Sequence, residues 1–388
     1  MHPGDPFIKA SLREFGETIF AEMSALALET NSINLGQGFP DTDGPAEVAE
    51  AAVKAIRDGH NQYPPGPGIP ELRQAIADHQ RSFYDLSFDP NTEVLVTAGA
   101  TEAIAASLLS LCEPGDEVIT FEPYYDSYAA TIAMAQASRR VVTLRPPDYA
   151  FDPDELASSV TDRTKAILVN TPHNPTGKVF SPDELQQIAG LCIEHDLVAV
   201  SDEVYEHLVF EGQHTPIASL PGMADRTVTI SSAGKTFSFT GWKIGWACAS
   251  PALLNAVRTA KQFLTYVNGA PFQHAIAVAL ALPRSYYADY LSDMTMKRDL
   301  LCAGLAAVGF EVFPPAGTYF VTTDIRPLGA TDGKEFCLEL PRACGVVAVP
   351  NVVFYDNEDE GRHLVRFTFC KQPQVLEEAI NRLMGLSG

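Results

Sequence analysis

Ser231-Ser232-Ala233-Gly234-Lys235-Thr236-Phe237-Ser238-Phe239-Thr240-Gly241-Trp242-Lys243 is the stretch from which the rest of the chain can be read. It follows an apolar, β-type run at 227–230 and sets lysines among glycines and hydroxyls. A lysine at a strand end, among side chains this small, can lie close to a flat ligand. The competing reading of Lys235 is a solvated loop lysine. The segments on either side decide between the two.

Working outward, the runs at 94–97, 117–122, 139–144, 165–170, 197–202, 227–231 and 242–249 read as strands. Helical patterns fall between several of them, at 100–111, 124–136, 154–160 and 181–195. This alternation predicts an α/β fold with a mostly parallel, seven-stranded sheet between helices. Ligands of such sheets sit outside the carboxyl ends of the strands. Upstream, an amphipathic stretch at 17–28 leads into NLGQGFPDTDGP (34–45), an irregular loop by its glycines and prolines. A helix is expected at 46–58. NQYPPGPG (61–68) is too rich in Pro and Gly for either regular element. Beyond Pro251 the pattern is helical to about residue 308, broken near Asn268-Gly269 and Pro283. Strands are then expected at 310–313, 318–324, 346–349 and 363–370, with helices at 332–340 and 373–384. The expected division is an arm (1–45) that contributes to the small domain and the site, a large ligand-binding domain (46–285) and a smaller α/β C-terminal domain (286–388).

The chain has 388 residues and a net charge of −22, from 27 basic and 49 acidic side chains. That balance argues against a nucleic-acid backbone or an anionic membrane as partner. Seven cysteines, with no C-x-x-C pair and no zinc-like spacing, fit reduced thiols in a cytoplasm and no metal site. The first residues, MHPGDPFIKASLREFGE, hold no apolar signal core. No run approaches the about 18 apolar residues of a membrane span.

Several side chains carry possible chemistry. Asp202 ends the apolar run LVAVSDEVY, where a carboxylate serves either a ligand cation or a helix cap. Tyr205, three residues on, reads as a ligand donor or a core tyrosine. NTPHNPTGKVF (170–180) fixes an irregular turn directly after a strand and presents Asn174. Gly99-Ala100-Thr101 joins a strand to a helix, a natural seat for phosphate, and Lys243 can add charge there. Arg366 sits inside the apolar strand HLVRFTFC. Its planar fork suits a carboxylate, from a substrate or from an internal salt bridge.

Together these pieces resemble class I/II aminotransferases of fold type I, over essentially the whole chain. LGQGFPD, NQYPPGPG, EPYYDSY, NTPHNPTGKVF, DEVYEHLVF, SSAGKTFSFTGWKIGW and LVRFTFC are most similar to the kynurenine/glutamine/methionine branch, and within it to actinobacterial enzymes assigned as N-succinyldiaminopimelate aminotransferase. The resemblance implies pyridoxal 5'-phosphate as cofactor. Lys235 would bond the cofactor aldehyde and shuttle the proton. Asp202 would pair with the ring nitrogen, Asn174 and Tyr205 with the ring 3-oxygen, and Tyr125 would stack on the ring. Ala100, Thr101, Ser232 and Lys243 would hold the phosphate. Tyr63 would reach the phosphate of a neighbouring subunit, which implies a homodimer with shared sites. Gly38 and Arg366 would flank the substrate carboxylate, Asn174 would also touch substrate, and Phe20 would line the side-chain pocket.

The implied reaction moves an amino group from an amino acid to 2-oxoglutarate, with N-succinyl-LL-2,6-diaminopimelate as expected donor in lysine biosynthesis. Alternatives are a broad methionine, glutamine or aromatic aminotransferase, and a cysteine-conjugate or cystathionine β-lyase on the same scaffold. An aminotransferase-like binding domain of a transcription regulator is disfavoured, because no length or basic charge is left for a DNA-binding module. Two departures stand out. Many aminotransferases use arginine where this chain has Lys243. Asn268-Gly269 replaces the bulky side chains of kynurenine-type enzymes and predicts a smaller, more polar pocket wall.

Overall fold

The computed structural model describes residues 7–387. The first six residues of the expected arm lie outside them. The seven strands are β1 (Val94–Thr97), β2 (Glu117–Glu122), β3 (Ser138–Thr143), β4 (Thr164–Asn170), β5 (Val198–Asp202), β6 (Thr227–Ser232) and β7 (Gly245–Cys248). They form one sheet in the order β1-β7-β6-β5-β4-β2-β3. Strand β7 runs antiparallel to both neighbours, and the other pairs are parallel.

Burial on both faces explains why these strands read as continuous apolar runs. In β4, Ala166 and Leu168 face helices Gly99–Leu111 and Asp126–Met134, through Ala103, Leu108 and Ile132. Ile167 and Val169 point the other way, into a core with Leu185 and Ile188 of helix Pro182–Glu194. The two-residue period of a strand thus feeds two cores.

A second, antiparallel sheet orders Val349–Pro350, Leu364–Thr368, Phe320–Asp324 and Glu311–Phe313. Helices Arg284–Val308, Gly333–Cys344 and Pro373–Leu383 add Leu301, Leu305, Cys337, Leu340 and Leu376 to its core. Ile33–Asn34 pairs in parallel with Val346–Val347 and ties the arm to this part of the chain.

The structure departs from the sequence reading at four points. The single strand expected at 346–349 is two short strands, Val346–Val347 and Val349–Pro350, which pair in different sheets. The strand expected at 242–249 starts only at Gly245, because Lys243 adopts a left-handed backbone (φ 53°) after a 3-10 turn at Thr240–Trp242. The strand expected at 318–324 starts at Phe320, because Thr318 also has positive φ (66°). Helix Pro70–Tyr84 has no counterpart in the sequence reading. Its buried face mixes Leu72 and Ile76 with Arg73, His79 and Gln80, so its apolar period is broken.

Candidate active site

The carboxyl ends of β1, β4, β5 and β6 open on one cavity of about 380 Å³. Every residue given a cofactor or substrate role from the sequence lines it except Tyr63, which is 80 % exposed and stands apart.

At one end, helix Gly99–Leu111 begins without a capping side chain at Ala98. Its first-turn amides, including those of Ala100 and Thr101, point out of the helix with the positive end of its dipole. Two glycines let the chain close here. A Cβ at Gly245 would lie 2.6 Å from the Gly99 carbonyl carbon and 2.7 Å from the Ala100 nitrogen. A Cβ at Gly99, whose φ is +75°, would meet the Lys243 Cε and Nζ at 3.3 Å. The Lys243 ammonium therefore lies over the helix start, and Ser232 closes the same end of the cavity.

Asn268 does not form the polar wall expected of it. Its Nδ2 donates to the Thr97 and Lys243 carbonyls, both at 3.1 Å, and so fastens the two segments of the anion seat. Gly269, with positive φ, packs on Ile244. Neither residue lines this cavity.

Across the cavity floor stands Asp202, buried at the end of β5. The Tyr128 hydroxyl donates to its Oδ2 at 2.6 Å, and the Val204 amide approaches Oδ1 at 3.3 Å. Burial pushes its carboxyl up to about 6, against the pull of these donors. A carboxylate held in this way is poised for a cationic partner. Lys235 stands between, with Nζ 3.0 Å from the Tyr319 hydroxyl and 3.4 Å from the Gly38 carbonyl. Burial pulls its ammonium down to about 8, a value from which an amine readily becomes a nucleophile or base. Tyr125 N-caps helix Asp126–Met134, and its ring stands edge-on to Tyr128 at 5.7 Å.

At the other end is Arg366, 1 % exposed within strand Leu364–Thr368. Its Nη2 donates to the Gly36 carbonyl and its Nη1 to Asn174 Oδ1, each at 2.9 Å. Its Nε has no partner. The guanidinium lies 4.0 Å from the Phe320 ring centroid and 5.3 Å from that of Phe20. Among the described residues no carboxylate forms a salt bridge with it, so the internal ion pair considered from sequence is absent. Asn174 is held in turn by Asn170, whose Oδ1 accepts from the Asn174 amide at 2.7 Å and whose Nδ2 donates to the Asp202 carbonyl at 2.9 Å. Asn174 therefore joins the arginine end of the cavity to the aspartate end.

Sequence reasoning missed Tyr128, Asn170 and Tyr319. Tyr128 lies inside the quoted EPYYDSY, one helical turn after Tyr125, and that spacing was the available signal. Outside the cavity, the fold gathers His79, Glu206 and His207 with ligand atoms within 4.8 Å, which no sequence spacing announces. The two imidazoles already share a 2.7 Å Nε2–Nε2 hydrogen bond.

Residues 30–383 match the sequence profile described as aminotransferase class I and II. The chain is 52 % identical to a probable N-succinyldiaminopimelate aminotransferase of Mycobacterium tuberculosis, covering 97 % of this chain and 98 % of that one. It is 38 % identical to a methionine aminotransferase of Escherichia coli, covering 98 % and 99 %. It is 39 % identical to kynurenine–oxoglutarate transaminase 3 of Rattus norvegicus, covering 94 % and 87 %. The solved N-succinyldiaminopimelate aminotransferase of M. tuberculosis superposes with a TM-score of 0.96 at 53 % identity, covering 98 % of this chain and 100 % of that one.

Proposed function

The chain belongs to the class I and II aminotransferases, which depend on pyridoxal 5'-phosphate, and from that premise we propose that its physiological donor is N-succinyl-LL-2,6-diaminopimelate and its acceptor 2-oxoglutarate. The observation that carries a donor with a carboxylate next to its amine is Arg366, buried and without a salt-bridge partner among the described residues. The named donor rests on the high identity, over nearly full length, to a relative bearing that name.

The residues of the cavity fit the cofactor. A phosphate matches the uncapped helix start, the glycine-lined approach and Lys243. A protonated ring nitrogen matches Asp202, whose carboxyl is raised by burial. An aldehyde matches Lys235. Bound there, the cofactor supplies a carbonyl for the substrate amine and a ring that draws electrons from the substrate α carbon.

The chain's own residues do the rest. Lys235 would hold the cofactor and, when free, take the proton from the donor's α carbon in the first half-reaction and deliver one to the acceptor's α carbon in the second. Asp202, fixed by Tyr128, keeps the ring nitrogen charged. Tyr205 and Asn174 serve the ring oxygen, although Asn174 Oδ1 is turned to Arg366 and its Nδ2 is left for that role. Tyr125, which lines the cavity, would lie against the ring. Arg366 and the Gly38 segment orient the carboxylate, and Phe20 borders the side-chain end.

The same reading includes a homodimer. Tyr63, Phe263 and Tyr266 are 80 %, 83 % and 53 % exposed, and Tyr63 meets Tyr266 edge-to-face at 5.5 Å. An aromatic patch of this kind suits burial against a second copy, with Tyr63 reaching the partner's phosphate. The division into an arm (1–45), a large domain (46–285) and a small domain (286–388) is supported by the separation of the seven-stranded from the four-stranded sheet and by the pairing of Ile33–Asn34 with Val346–Val347. A cytoplasmic location fits the free cysteines, and no helix among the described residues is long and apolar enough to cross a membrane.

The second reading, a broad methionine aminotransferase, draws on the full-length likeness to the E. coli enzyme. A half-reaction separates them. The yellow enzyme is mixed with one donor at a time and the decay of its absorbance is followed. Fast decay with N-succinyl-LL-2,6-diaminopimelate and slow decay with methionine and kynurenine is expected. The reverse order would assign the chain to the broad class.

A further inference from the structure

We propose that Tyr319 is a positioning residue for Lys235: its hydroxyl holds the lysine amine whenever that amine is free, and ties it to the Gly38 carbonyl of the arm loop. The inference rests on the proposed role of Lys235. The geometry is specific. The Tyr319 hydroxyl donates to the Gly38 carbonyl at 2.5 Å, which leaves its lone pairs for the Lys235 Nζ at 3.0 Å. The Tyr319 ring is fully buried and packs edge-on against Tyr205 at 5.2 Å and Phe320 at 4.9 Å, so the hydroxyl has one place to be.

The backbone is built to put it there. Thr318, directly before it, is a β-branched residue at φ 66°, a conformation that persists only where the surroundings impose it. The surroundings do impose it. The Thr318 amide donates to the Leu208 carbonyl at 2.9 Å and the Gly317 amide to the Gly177 carbonyl at 2.7 Å. On the other side, the Tyr319 carbonyl accepts from the Phe369 amide at 3.0 Å and from the Thr368 hydroxyl at 3.1 Å. Gly38 is shaped to receive the hydroxyl, since a Cβ there would lie 2.4 Å from Phe320 Cζ and 3.3 Å from Tyr319 Cε2. Strain at such a place, beside the amine of Lys235, marks a positioning device.

The chemistry needs one. Lys235 must let go of the cofactor when substrate arrives, stay within reach of the α carbon, and return to the same atom. A free lysine side chain samples many rotamers, and a holder at its tip keeps the amine near attack geometry. Tyr290 touches the same residue differently, donating from its hydroxyl to the Lys235 backbone carbonyl at 2.8 Å. That contact fixes the segment and leaves the amine alone.

The test compares full-length Tyr319→Phe, Tyr290→Phe and Lys235→Ala. The first readout is the rate at which apoenzyme, mixed with pyridoxal 5'-phosphate, gains the yellow band. The second is the half-reaction of the holoenzyme at saturating donor, and thermal midpoints are recorded throughout. Loss of one hydrogen bond that orients the reacting group predicts that Tyr319→Phe slows capture and the half-reaction about fivefold, with the half-saturating donor concentration little changed. Tyr290→Phe is expected to leave capture near the wild-type rate. Wild-type capture by Tyr319→Phe overturns the proposal. So does equal slowing in both tyrosine variants, which would mark a general packing effect, including one from partial unfolding. Capture that persists in Lys235→Ala instead removes the premise about Lys235.

Discussion

Replacing Arg366 by Gln removes the charge that we assign to the substrate carboxylate while keeping a polar side chain of similar reach. The guanidinium is 1 % exposed, two of its nitrogens are held by Asn174 and Gly36, and no carboxylate among the described residues forms a salt bridge with it. A donor carboxylate docking there gains charge-assisted hydrogen bonds in a water-poor site, and in the variant it is buried without a partner. Truncating one side of such a pair costs about 2–5 kcal/mol. At about 1.4 kcal/mol per decade, kcat/KM should fall about 30- to 4,000-fold. Stability should not fall in step, because burial already disfavours the guanidinium, which it lowers to about 10. The assay is the single-turnover half-reaction with an amino acid donor and with the corresponding amine that lacks the α-carboxylate. The wild type should prefer the amino acid strongly, and the variant should lose most of that preference while handling the amine as before. Equal losses on both donors, or an undiminished preference, would refute the assignment.

Asp202 makes a pH prediction. Its folded pKa of about 6 lies above the ordinary carboxylate value, so the apoenzyme is favoured with the proton on and loses stability as pH rises from about 4 to about 6, by up to about 3 kcal/mol. Pyridoxal phosphate sets a cation beside the carboxylate, so the gap between holoenzyme and apoenzyme thermal midpoints should widen over that window; a constant gap would contradict the pairing. Glu206, also raised by burial, to about 7, lies outside the cavity and contributes to both forms alike. Gly245→Ala drives a Cβ into the Gly99 and Ala100 backbone. It should cost about 1–3 kcal/mol by denaturant unfolding and weaken retention of the cofactor on dialysis. Mixing inactive Lys235→Ala and Tyr63→Ala chains should regain about a quarter of wild-type activity, since each mixed C2 dimer rebuilds one intact shared site. No gain after subunit exchange would mean that Tyr63 serves no neighbouring site.

The large sheet was legible because its strands are buried on both faces and so stand out as apolar runs. Val94–Thr97 and Glu117–Glu122 were read to the residue. Helix Pro70–Tyr84 was not legible, because tertiary partners satisfy polar side chains on its inner face: Arg73 Nε donates to the Gly68 carbonyl, and His79 pairs with His207. Lys243 and Thr318 defeated strand reading through backbone conformations that their residue types rarely adopt. In the cavity, residues that would meet the cofactor were readable from their motifs. Those that hold them were not, because Tyr128 reaches Asp202 from a helix, Asn170 reaches it from the neighbouring strand, and Tyr319 sits just before strand Phe320–Asp324 of the second sheet. Asn268 was misread for a related reason. Its polarity serves the backbone of the anion seat rather than the pocket wall.

Lys235, as the residue that bonds the cofactor, is the centre of the proposed chemistry. Borohydride reduction of the yellow enzyme, followed by proteolysis and mass spectrometry, tests this directly. One phosphopyridoxyl group per chain is expected, on the peptide that carries Lys235, with no labelling after prior conversion by an amino donor. Label on Lys243 or elsewhere, or label that survives in Lys235→Ala, would contradict it.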